Sequence, residues 1–168
     1  MELSKKDRVL LINQYRILSH LDESEAGRYQ ELIEILENGY TIFYSMIDSW
    51  VDDEMGLEDG RFVLNVLDLY RAMEDLKRRS KDSRILDHGF SYFRGFDGNG
   101  ETQYMAFCRF LVEVQGKFQE QRSYLLKNDN FNSHLPMRDK YMRMLAAAKR
   151  IPSIWEMSVD EALTILNA

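Results

Sequence analysis

The chain has 168 residues, 45% of them hydrophobic and 30% charged, with a net charge of −6. That length and composition fit one globular domain, 1–168, with a real core. One cysteine excludes an internal disulfide and fits a reducing compartment. The opening MELSKKDRVLLINQYR mixes charge into its apolar residues, so it is no secretory leader. No run of about 18 uncharged apolar residues is present to cross a membrane. The expectation is a cytoplasmic protein without membrane contact.

Helical periodicity dominates from the first residues. Ser4, with Asp7 three residues on, forms a capping-box pattern for a helix running to about Leu21. The doublets Leu10/Leu11 and Ile17/Leu18 recur at seven residues and make a wide apolar stripe, and Val9 and Ile12 add a second patch. Asp22 or Ser24 is the expected cap of a helix over 25–38, stopped at Asn38-Gly39. YTIFYSMIDSW reads as a further helix, with strand as the alternative over TIFY. From 58 to 79, Phe62, Val63, Val66, Leu67, Tyr70, Met73 and Leu76 keep helical spacing. SRILDHGF predicts a short helical turn. DGNGE, 97–101, predicts a tight turn, with Gly98 and Gly100 as positive-φ positions and Asp97 or Asn99 as the cap.

The segment 101–118 is apolar over more than half its helical circumference, which predicts a central helix. Arg109, Glu113 and Lys117 stand four apart on its polar side. KNDNFNSHLPM reads as a loop, with Pro136 in the first turn of a helix over 134–149. Ser158 and Glu161 form a second capping box, for a helix over 159–166. The sum is an all-α domain of seven or eight helices around the 101–118 helix.

Few residues carry readable chemistry. In any EF-hand register DGNGE lacks a required ligand, so a calcium loop is not expected. Cys108 falls within the apolar arc of its helix, which predicts an inert thiol. His20, His88 and His134 are isolated and form no zinc pattern. The acidic group Asp48, Asp52, Asp53, Glu54, Glu58 and Asp59 could ligate a cation, but helix-dipole pairing and turn solvation explain it more simply. No Walker, dinucleotide or nucleophile-elbow motif is present. No cofactor or metal is expected.

Charge is uneven. Residues 1–60 hold 5 basic and 14 acidic side chains, and 61–168 hold 17 and 14. RAMEDLKRRSKDSR (71–84), followed by SYFR, is the stretch most like a basic patch with aromatics, and 136–150 adds Arg138, Lys140, Arg143, Lys149 and Arg150.

The segments NQYRILSHLDE (13–23), AGRYQELIEILENGY (26–40), GFDGNGETQYMAFCRFLVEVQGKF (95–118) and FNSHLPMRDKYMRML (131–145) together resemble the YfbU family of bacterial cytoplasmic proteins. The resemblance implies an all-helical, self-associating protein with no assigned activity. Gly95, Phe96, Asp97, Tyr104, Arg109, Phe110, Gly116, Asn132, Pro136, Met137 and Tyr141 match it. Of these, Asp97, Arg109, Asn132 and Tyr141 are the polar candidates for a site.

Three functional expectations follow. The first is a non-catalytic protein acting through protein contact and its own oligomerisation. The second is a nucleic-acid-associated regulator using 71–84, with Arg78 and Arg79, and 136–150. The third is a small-molecule enzyme or sensor around Asp97 and Arg109.

Overall fold

The computed structural model describes residues 2–168. Among them the chain forms nine α-helices and no β-structure beyond one isolated bridge. The all-α expectation holds. Packing gathers the residues into two compact units, Met1–Glu54 and Met55–Ala168, each with its own apolar cluster.

The first unit is built on a helical hairpin, α1 (Lys5–Leu21) and α2 (Ala26–Asn38). At the start of α1 the Ser4 hydroxyl accepts from the Asp7 amide, and the Asp7 carboxylate accepts from the Ser4 amide at 2.9 Å. That reciprocal pair satisfies two amides the helix cannot. The cap expected for α2 does not form. Ser24 turns its hydroxyl onto the Asp22 carboxylate at 2.6 Å, and Glu25 occupies the N-cap without a side-chain bond. Gly39 ends α2 at φ 68°, and the Arg8 guanidinium donates to the Leu36 carbonyl at 2.9 Å. The run TIFY is not a strand. Thr41–Phe43 forms a tight 3-10 turn leading into α3 (Ser45–Asp48), and Tyr44 and Ile47 join Ile12, Leu32, Ile33, Ile35 and Leu36 in the core.

The second unit is organised on α4 (Leu57–Ser80). Val63, Val66, Leu67, Leu69, Tyr70, Ala72, Met73 and Leu76 are all buried. Each large side chain so buried contributes about 1.5–3 kcal/mol relative to exposure. Around it run α5 (Ser83–Leu86), α6 (Thr102–Arg109), α7 (Arg122–Lys127), α8 (Arg138–Ala148) and α9 (Val159–Asn167). The helices α6, α8 and α9 all pack on α4, so α4 holds the central place expected of 101–118. The reason lies in the end of α6. Phe110–Val114 is a π-helical turn, with the Gln115 amide bonded to the Phe110 carbonyl five residues back. The wider turn changes the 100° stepping, leaving Leu111 and Val112 buried but Phe110 and Val114 exposed. Gly116 then reverses the chain at φ 66°. Pro136 precedes α8 rather than lying in its first turn.

Candidate functional site

Most of the family-matched residues of 95–141 converge within the second unit, while Phe110 is exposed and Gly116 has open space beside it. The segment 93–101 lies against 128–137 through a parallel bridge, in which the Phe96 amide donates to the Phe131 carbonyl at 2.9 Å and the Ser133 amide to the Phe96 carbonyl at 3.0 Å. Gly95 permits this approach. Its φ is 85°, and a Cβ there would stand 1.9 Å from the Phe131 carbonyl oxygen. The positive-φ glycine is thus Gly95, not Gly98 or Gly100. On the other strand of the bridge, Asp129, Asn130 and Phe131 are consecutively left-handed, at φ 46°, 56° and 63°. Such a run in non-glycine residues is strained and persists only where the surroundings enforce it. Here Phe131 is fully buried in a ring cluster with Phe93, Phe96, Tyr70 and Tyr141.

The polar groups in this knot are directed at backbone. The Asp97 carboxylate accepts from the Gly100 amide at 2.9 Å. The Asn132 side-chain oxygen accepts from the Gly98 and His134 amides. The Tyr141 hydroxyl donates to the Gly95 carbonyl at 3.0 Å, and burial pushes this phenol's pKa well up. Arg109 donates to the Asn130 carbonyl at 2.6 Å in place of the expected Glu113 pairing. Sequence reasoning missed Glu101. Its carboxylate accepts from the Asp97, Met137 and Arg138 amides, all near 3 Å. It therefore closes the DGNGE turn and caps α8 at once, favourably placed against the positive end of that helix. Its placement in the turn before a helix was visible, but its partners 36 residues on were not.

The basic side chains of 71–84 are largely paired with carboxylates, whereas Arg138, Lys140 and Arg143 of 136–150 bond a hydroxyl or carbonyls. Arg78 and Arg79 both bond the Asp75 carboxylate, which holds that group below its usual pKa. Arg71 pairs with Glu120 at 2.8 Å, and Arg84 with Asp82 and Asp160. Lys140 and Arg143 donate to carbonyls at the end of α9. In the acidic group, Asp59 accepts from the Tyr104 hydroxyl at 2.6 Å and Glu58 pairs with Arg61. The Cys108 thiol is fully buried, and burial pushes its pKa far up, so it has no thiolate character.

A cleft of about 650 Å³ opens between α4 and α8. Phe62, Met142, Leu145 and Ile154 line it, with Trp155 at the rim and Arg61, Asp68 and Lys149 around it. Asp97, Arg109, Asn132 and Tyr141 are not among its lining residues.

The first unit carries the largest departure from the expected helix faces. Ile12, read as part of a spare patch, is 8% exposed and packs in the core, whereas Leu10, Ile17 and Leu21 are 53, 60 and 77% exposed. Leu11 turns inward with Tyr15. At 100° per residue, Leu10, Ile17 and Leu21 lie within about 40° of one another, forming a stripe of one helix face. Val9 is exposed as well, while Ile42, Phe43 and Trp50 expose further apolar surface in the same unit.

An all-α chain with a strained, bridged turn and a helical hairpin bearing an exposed apolar face defines a class by architecture. The sequence pattern of the YfbU domain matches residues 1–168, and the chain belongs to that family. It is similar to the UPF0304 protein MJECS11 of Methanocaldococcus jannaschii, 46% identical over 99% of both chains. That relative is archaeal, so the bacterial setting implied by the resemblance is too narrow. Among the described residues, no helix is long and apolar enough to cross a membrane.

Proposed function

We propose that the chain is a non-catalytic cytoplasmic protein that acts by protein contact, beginning with contact between its own copies. The exposed Leu10–Ile17–Leu21 stripe of α1 carries this reading. Three such side chains expose on the order of 400 Å² of apolar surface, within the size of the largest patch on an ordinary monomer and often functional there. A stable interface needs about 800 Å² per partner, so the stripe with its flanking residues supplies a hydrophobic centre and part of a rim. The polar residues matched to the family support the same view, because their groups hold backbone rather than facing a substrate.

Native mass spectrometry on gently purified protein tests the proposal. Masses at whole multiples of 19.9 kDa are expected. A single-chain mass across a wide concentration range would overturn it. The nucleic-acid reading loses support at 71–84, where Arg78 and Arg79 share the Asp75 carboxylate. A second reading is favoured by one observation, the apolar α4/α8 cleft, whose volume suits a small ligand. It predicts extra mass that disappears on denaturation, together with a change in Trp155 fluorescence.

A further inference from the structure

The cations of 71–84 are largely paired to carboxylates, but Lys140, Arg94 and Lys127 of the second unit are held by aromatic rings. Lys140 stands 4.6 Å from the Phe90 ring centroid, Arg94 stands 4.9 Å from Phe90 and 5.4 Å from Tyr92, and Lys127 stands 4.4 Å from Tyr92. Tyr92 stacks on Tyr124 at 5.3 Å, which extends the row. Arg94 is held in place by two bonds to the Gly89 carbonyl, an acceptor that fixes its orientation without cancelling its charge. Each cation–ring contact fixes a cation near the surface at modest desolvation, and the row presents three positive charges over rings that Arg94 links. Beside it Leu126 is 87% exposed, giving the row an apolar edge.

The rings limit what can bind. Tyr92 is stacked on Tyr124 and carries Lys127 and Arg94 against its ring, so its surface is shared with cations rather than left bare for a nucleobase. Single-strand binding draws much of its strength from such stacking. The row instead suits carboxylates presented beside apolar side chains. The first unit presents such a surface. Met1–Glu54 contains 12 acidic and 5 basic residues, against 16 and 17 in Met55–Ala168. On α2, Glu31 and Glu34 lie one turn apart beside the exposed Tyr40 and Phe43, whereas the neighbouring Glu37 is taken by Arg16 and Glu25 by Arg28.

We propose that the cation–aromatic row of one copy docks the acidic α2 face of a second copy, with Arg94 and Lys127 facing Glu31 and Glu34. This rests on the self-association reading and names the polar contact that accompanies the apolar α1 stripe. Charge complementarity of this kind sets register and partner choice in an interface.

Charge exchange tests it. The double variants Arg94→Glu/Lys127→Glu and Glu31→Lys/Glu34→Lys should each associate about tenfold or more weakly than the parent by sedimentation. Mixed in equal amounts they should associate with each other, because every contact between unlike chains again joins opposite charges. Helical circular dichroism checks folding, and Lys127→Glu alone, at an exposed position, serves if the Arg94 change perturbs the Gly89 turn. Failure of the mixture to associate, or parental association of the Arg94/Lys127 variant, would overturn the inference. If that variant associates normally while Ile17→Glu does not, the docking inference falls and the self-association reading stands. If the parent itself is monomeric, both fall. Binding of a single-stranded DNA oligomer by the parent, lost in the Arg94/Lys127 variant, would replace the proposal with a nucleic-acid site.

Discussion

Gly95 is the residue on which the bridge between 93–101 and 128–137 depends. Gly95→Ala places a methyl group 1.9 Å from a backbone oxygen at an unfavourable φ, and neither backbone can yield without opening the ring cluster. A loss of about 4 kcal/mol or more is expected in denaturant unfolding. Gly116→Ala is the control. Its φ is also positive, but nothing lies within 4 Å of the added Cβ, so about 1–2 kcal/mol is expected. Equal losses at the two positions would mean that the close approach is not what Gly95 provides. Glu101→Gln should cost about 2–3 kcal/mol, since one amide oxygen replaces a charged group bonded to three amides. Cys108 should resist thiol reagents in the native state and react at once on unfolding; fast native labelling would contradict its burial. At this scale the sequence was legible where a residue acts on near neighbours. Ser4, Asp7, Ser158 and Glu161 were readable because their partners lie three residues away. Glu101 and Gly95 were not, because contact across more than 30 residues leaves no local pattern.

Among the elements, the two capping boxes offer a pH test. The Glu161 carboxyl is held below its usual range by the Ser158 amide and then its hydroxyl, and Asp7 by the Ser4 hydroxyl and then its amide. A folded-state pKa lowered in this way gives stability that is complete above the ordinary carboxylate range and is lost as pH falls through the folded value. Ser158→Ala should destabilise the fold at neutral pH, and the gap from the parent should narrow in acid as the hydroxyl-to-carboxylate bond is lost, while the loss of the hydroxyl that caps the Glu161 amide remains. A gap that widens on acidification would contradict that assignment. The existence of the helices was legible from their 3.6-residue periodicity, and α4 was read almost to its ends. The role of 101–118 was not. A π-helical turn at Phe110–Val114 breaks the regular stepping from which centrality was argued, and periodicity gives no warning of it.

For the whole molecule, the apolar face of α1 decides the account. Counting apolar positions placed a stripe on α1 correctly but assigned its sides incorrectly. Ile12 and Leu11 face α2, and Leu10, Ile17 and Leu21 face outward. Either face is apolar enough to be a core, and what selects between them is the position of α2, information that does not reside in α1. The proposed partner of this outward stripe is another chain. Sedimentation equilibrium of the parent beside Ile17→Glu tests this most directly. Association through the stripe predicts multiples of 19.9 kDa for the parent and a single-chain mass for Ile17→Glu at unchanged helical content, because a carboxylate at the centre of the stripe would be buried unpaired on association. An Ile17→Glu chain that assembles like its parent would contradict it.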